Sequence, residues 1–158
     1  MFKVVYPGSF DPPTNGHLDI MRRAARLFDA MDIVIAVNPN KEYFFSAEER
    51  FEMIKKLVED LGNVNVVIWQ GLVVDYAKKT GAKVILRGVR ALADFDYEFE
   101  LSMLNKALNP EVETIFLTTD QKYFVLRSSS IRELAAFHGD ISGMVPDIVA
   151  EALRKKFE

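Results

Sequence analysis

The chain has 158 residues, 49% of them hydrophobic and 27% charged, with a formal net charge of −3. That length suffices for one domain with a sizeable core, and the acid excess argues against general nucleic-acid binding, which needs many phosphate-neutralising cations. The lack of cysteine excludes disulfides and thiolate metal sites, no apolar run approaches the ~20 residues of a membrane span, and the N-terminus lacks a signal-peptide layout; a cytoplasmic protein is expected.

Phe2–Tyr6 is an apolar run that reads as a buried strand. The loop after it, Pro7 to Asn15, delivers His17 to the start of an amphipathic helix, Gly16–Phe28. Ile33–Val37 reads as a strand and Ala47–Leu61 as a helix, opened by Ser46-Ala47-Glu48-Glu49 in the pattern of a capping box. Val64–Ile68, Lys83–Leu86 and Thr114–Leu117 read as strands, alternating with helices Val73–Thr80 and Leu92–Leu108. Gly62-Asn63 and Gly81 read as helix stops. Helices Ser130–Phe137 and Pro146–Phe157 close the chain. The strands are rich in Val and Ile without polar alternation, which suits strands covered on both faces. Such alternation predicts an α/β protein with a parallel sheet and right-handed crossovers, in a single domain spanning residues 1–158.

In open sheets of this class, ligands bind beyond the C-terminal strand ends. The loops there carry Ser9 and His17, then Lys41, then Arg87 and Arg90, and finally Ser128-Ser129-Ser130 before a helix. A first helical turn has unpartnered N–H groups and a dipole that favours anions. The planar arginine fork suits phosphate. Each feature alone has a plainer reading as a cap or a solvated turn; gathered on one sheet edge they predict a phosphate site. Neither a Walker A motif nor Gly-x-Gly-x-x-Gly is present. His138 beside Gly139 reads as structural, and Phe95, Phe99 and Met103 have the helical spacing of a core or subunit contact.

Gly8-Ser9-Phe10-Asp11 with Asn15-Gly16-His17 is similar to the Thr/His-x-Gly-His signature region of the nucleotidyltransferase superfamily. Joined to Glu48-Glu49-Arg50, to Arg87-Gly88-Val89-Arg90-Ala91, to Asp94-Phe95-Asp96-Tyr97-Glu98 and to the serine run before Arg132-Glu133, it resembles the bacterial phosphopantetheine adenylyltransferase family. The resemblance implies a Rossmann-like, doubly wound five-stranded parallel sheet with C-terminal helices, usually a homohexamer. It implies transfer of the adenylyl group of ATP to 4′-phosphopantetheine, giving dephospho-coenzyme A and pyrophosphate, with Mg2+ accompanying the nucleotide. No nucleic acid or membrane partner is implied.

By position, the family roles fall on His17 as stabiliser of the α-phosphate transition state, and on Ser9, Lys41, Val73 and Arg87 for phosphopantetheine. ATP would contact Ser9, Phe10, His17, Gly88, Val89, Arg90 and Glu98. The segment Tyr123, Phe124, Val125, Leu126, Arg127, Ser128 and Ser129 would wrap the nucleotide. The chain departs from the family there: matched backwards from Arg132 without a gap, Arg127 takes the first serine position, whereas matching the serines directly needs one inserted residue. Positioning and electrostatics would carry the reaction without a covalent intermediate. A related adenylyl or cytidylyl transfer to another acceptor is the alternative, against which the Arg87–Glu98 segment argues. A non-catalytic receiver-like module would need acidic residues after the first strand, where Tyr6-Pro7-Gly8 stands.

Overall fold

The computed structural model describes all residues from Met1 to Glu158. Five strands, β1 (Lys3–Gly8), β2 (Ala30–Val37), β3 (Val64–Gln70), β4 (Val84–Val89) and β5 (Glu113–Thr118), form one parallel sheet in the order β3-β2-β1-β4-β5. Helices α1 (Asn15–Leu27), α2 (Ala47–Leu57), α3 (Val73–Thr80) and α4 (Leu92–Leu108) connect them. A 3-10 turn, Gln121–Tyr123, leads to α5 (Ser128–Ala136) and α6 (Asp147–Phe157).

The alternation of a strand's side chains sorts the core into two layers. Val4, Tyr6, Ile33, Ile35, Val84 and Leu86 face one side and pack on Ile20, Met21, Ala24, Ile54 and Val58 of α1 and of α2 with its C-terminal cap. Val5, Val34 and Ile85 face the other and pack on Val74, Tyr76 and Ala77 of α3. Phe95 of α4 meets Phe116 of β5 edge-to-face at 5.2 Å, and Phe116 pairs in register with Arg87. The sheet is therefore wound on both faces. A third cluster, with Ile131, Val149 and Leu153, seats α5 and α6 against Phe45 and Met53 rather than against the sheet.

The capping box at Ser46 forms as its pattern predicts: Glu49 N–H donates to Ser46 Oγ at 3.0 Å, and Ser46 N–H to Glu49 Oε2 at 2.7 Å. Two helix boundaries differ from expectation by more than one residue. α2 ends at Leu57 instead of Leu61, and the chain turns where Leu61 N–H reaches Val58 O. α5 starts at Ser128 instead of Ser130, with Arg127 in the N-cap position offering no side-chain cap. β1 starts at Lys3, leaving Phe2 outside it and stacked on Phe28.

Because β1 lies between β2 and β4, the β1–α1 and β4–α4 connections leave the sheet in opposite directions. The crevice between them is the switch point where such sheets bind ligands.

Candidate active site

The β1–α1 loop is shaped by its aromatic residue. Phe10 has a φ of 49°, is buried, and sets its ring between Tyr6 (centroids 5.4 Å apart) and His17 (5.1 Å). Gly8 makes room for that ring, which a Cβ at residue 8 would meet at 2.8 Å.

His17 stands at the third position of α1 and closes a capping box with Thr14. Its own N–H donates to Thr14 Oγ1 at 3.2 Å, while Thr14 N–H donates to His17 Nδ1 at 3.0 Å. An imidazole thus takes the place that Glu or Gln fills in the usual box. Since a backbone N–H can only donate, Nδ1 is an acceptor and the ring proton of the neutral imidazole sits on Nε2. Burial, then the charges of Arg90 and Arg87, lower the pKa of His17 to about 4. The ring is a neutral donor at physiological pH.

Around His17 opens a cleft of about 640 Å3, of the size that holds small-molecule ligands. It gathers Ser9, Phe10, His17, Lys41, Arg87, Gly88, Arg90, Glu98, Leu126, Arg127, Ser128 and Ser129 from sequence-distant loops. Val73, Val89, Tyr123, Phe124 and Val125 do not line it. Tyr123 instead backs the start of α1, its Cβ 3.5 Å from where a Cβ on Gly16 would lie, and Phe124 and Val125 are exposed.

The cations are held by carboxylates and carbonyls. Arg87 makes a bidentate pair with Glu98, 2.6 Å from Nε to Oε2 and 2.8 Å from Nη2 to Oε1, and donates through Nη1 to Pro7 O. Burial works against the charge on Arg87, but this pairing outweighs it and raises its pKa. Arg90 reaches Asp94 at 3.3 Å and donates to Leu126 O at 2.8 Å, joining the β4–α4 turn to the segment before α5. Arg127 approaches the same Asp94 from the other wall at 3.7 Å.

Asp11, Asp94 and Arg132 belong to the motif segments but are given no site role by the sequence, and the structure places all three at the cleft. Asp11, buried, accepts from Phe44 N–H at 2.8 Å and Phe45 N–H at 2.9 Å, so it fastens the first loop to the segment after Lys41. Arg132 donates to Asp11 O and lies 3.8 Å from its carboxylate. One signal could have pointed to Arg132: at four residues after Ser128 it shares the helix face of the cleft serine. For Asp94 the same spacing from Arg90 was available.

Relatives of this chain place the cleft in context. Residues 5–134 match the cytidylyltransferase-like family. A phosphopantetheine adenylyltransferase of Dictyoglomus turgidum is 50% identical over all of this chain and 99% of its own length. One of Caldanaerobacter subterraneus is 51% identical over 98% of this chain and 96% of its own. The chain belongs to the phosphopantetheine adenylyltransferase family. As a member of that family it is a nucleotidyltransferase, and the cleft with His17 is its candidate active site. A crystal structure described as a putative nicotinate-nucleotide adenylyltransferase of Vibrio parahaemolyticus shares the fold, with a TM-score of 0.70 at 17% identity, covering 100% of this chain and 97% of its own.

Proposed function

We propose that the enzyme transfers the adenylyl group of ATP to 4′-phosphopantetheine, a step of coenzyme A synthesis in the cytoplasm. The observation that carries this reading is the neutral, Nε2-protonated His17 in a cation-lined cleft of a chain half identical, end to end, to phosphopantetheine adenylyltransferases. A phosphate oxygen of the acceptor attacks the α-phosphorus of ATP in line. The new P–O bond forms as the bond to the bridging oxygen breaks, and the electron pair leaves with pyrophosphate. Both reactants are polyanions, so the protein's work is to bring them together and to donate hydrogen bonds to the charge at the α-phosphate. His17 Nε2–H supplies such a bond without adding a titrating charge. Ser9, Lys41 and Arg87, which line the cleft, hold the acceptor phosphate. Phe10, Gly88, Arg90 and the segment from Leu126 to Ser129, all of which line the cleft, hold the nucleotide, while Glu98 holds Arg87. Magnesium enters as part of the substrate, bound to the phosphates of ATP; no three His, Asp or Glu side chains converge to hold an ion of their own.

The reaction is tested in reverse, by following ATP formed from dephospho-coenzyme A and pyrophosphate. ATP is expected only when both are present. ATP formed from nicotinamide adenine dinucleotide and pyrophosphate, or CTP from a cytidine diphosphate ester and pyrophosphate, with no ATP from dephospho-coenzyme A, would overturn the acceptor assignment.

A homohexamer belongs to the same reading. Support comes from α4, none of whose 17 residues is buried in the protomer although Leu92, Tyr97, Phe99, Met103, Leu104 and Leu108 are large and apolar.

A further inference from the structure

Arg50 is among the largest fully buried side chains of the molecule, 1% exposed, yet it does not line the cleft. Its partners are main-chain carbonyls and a ring rather than a carboxylate. Nη1 donates to Ser9 O at 2.8 Å, and Nε to Phe45 O and Ser46 O, each at 3.2 Å. The guanidinium carbon lies 4.2 Å from the centroid of the Tyr43 ring. Against that same ring, at 5.3 Å, lies the ammonium of Lys41.

Burying a guanidinium is costly unless its donors are satisfied. A helix that needed only packing at residue 50 would be better served by Leu or Met. The bonds made here run to two places: the carbonyl of Ser9 on the first loop, and the ring that carries Lys41 on the second. Both Ser9 and Lys41 line the cleft, and neither belongs to the Arg90–Asp94–Arg127 cluster on its other wall. Arginine suits this task because one rigid fork spaces several acceptors while its face stacks on an aromatic ring, which lysine cannot reproduce.

We infer that Arg50 is the positioning residue of the acceptor-phosphate subsite, fixing Ser9 through its carbonyl and Lys41 through Tyr43. The inference rests on the proposed reaction, in which Ser9 and Lys41 receive the phosphate of 4′-phosphopantetheine. It predicts a split between the two substrates that a purely structural arginine would not give.

Steady-state kinetics with ATP and 4′-phosphopantetheine on the full chain test it. Arg50→Lys is expected to raise KM for phosphopantetheine about tenfold, the equivalent of about 1.4 kcal/mol, with KM for ATP changed by less than about twofold. Tyr43→Leu leaves the three carbonyl bonds in place but also removes the hydroxyl that accepts from Asn38 N–H and donates to Ala36 O, so it is read against Tyr43→Phe, which loses the hydroxyl and keeps the ring. Tyr43→Leu is expected to show the split and Tyr43→Phe is not, and the pair serves if Arg50→Lys does not fold. Asn63→Ala is the control: it removes hydrogen bonds to Ala25 O and Phe28 O far from the cleft, so it lowers Tm without the split. Equal shifts in both KM values, no shift in either, or the same split in Asn63→Ala overturns the positioning role. A wild-type enzyme that turns over no phosphopantetheine overturns the underlying reaction instead.

Discussion

At His17 the two ring nitrogens are assigned different tasks. Nδ1 closes the capping box of α1 by accepting from Thr14 N–H, and Nε2 keeps the proton that the proposed reaction uses. His17→Gln separates them, because glutamine is a normal partner in a capping box and can accept the same N–H. The variant is expected to lose less than about 1 kcal/mol of stability while kcat falls by about 10²–10³. Wild-type kcat in a folded variant would remove His17 from the mechanism. The depressed pKa has a second consequence. Between the folded value of about 4 and the ordinary 6.5, the unfolded chain binds a proton that the folded chain does not. This contribution to stability is therefore complete above the ordinary value and declines as pH falls toward the folded one. Urea unfolding at a series of pH values should show wild type losing more stability than His17→Gln between pH 7 and 5. Parallel curves would mean that the ring titrates normally.

Elements explain what could be read in advance and what could not. The strands, and the helices between them, were readable because period and composition agree with burial on both faces, as at Val4, Val5, Val34 and Ile85. Much of the cleft was readable too, since Ser9, His17, Lys41 and Arg90 come after a strand and Arg87 sits near the C-terminal end of β4, which runs to Val89 instead of stopping at Leu86. Side-chain pairings were not, because they depend on how α4 and α5 lean on the sheet. Glu98 is the clearest case: the family resemblance sends it to the nucleotide, and here its carboxylate grips Arg87 from α4. The start of α5 likewise shifted to Ser128, because Leu126 sinks into the C-terminal cluster and draws the chain into the helix early. The Arg87 pairing makes a prediction at this scale. Glu98→Gln keeps the shape but leaves the guanidinium without its counter-charge, and should cost about 1–3 kcal/mol in urea unfolding. KM for phosphopantetheine should rise with it, because Arg87 loses the bidentate partner that orients its fork. An unchanged KM would mean that Pro7 O alone fixes Arg87.

For the whole molecule, α4 is the element whose exposed apolar face the proposed hexamer would account for. Its first half sends Asp94 and Glu98 to the cleft arginines, and its outer face shows Met103, Leu104 and Leu108, each more than half exposed. Contiguous apolar surface of this kind marks an interaction site, and the hexamer proposed above would cover it with other copies. Met103→Glu places a carboxylate on that face without touching the cleft. In an isolated protomer the change is solvated and nearly neutral; in a dry interface it leaves an unpaired charge, at a cost of several kcal/mol. Light scattering should therefore show wild type as a hexamer and the variant as a smaller species with the same far-UV spectrum. Dissociation should also loosen α4 and, through Glu98 and Arg87, raise KM for phosphopantetheine more than KM for ATP. A variant that stays hexameric would move the interface off this face. One that dissociates with unchanged kinetics would show that each protomer holds its cleft arginines without help from its neighbours.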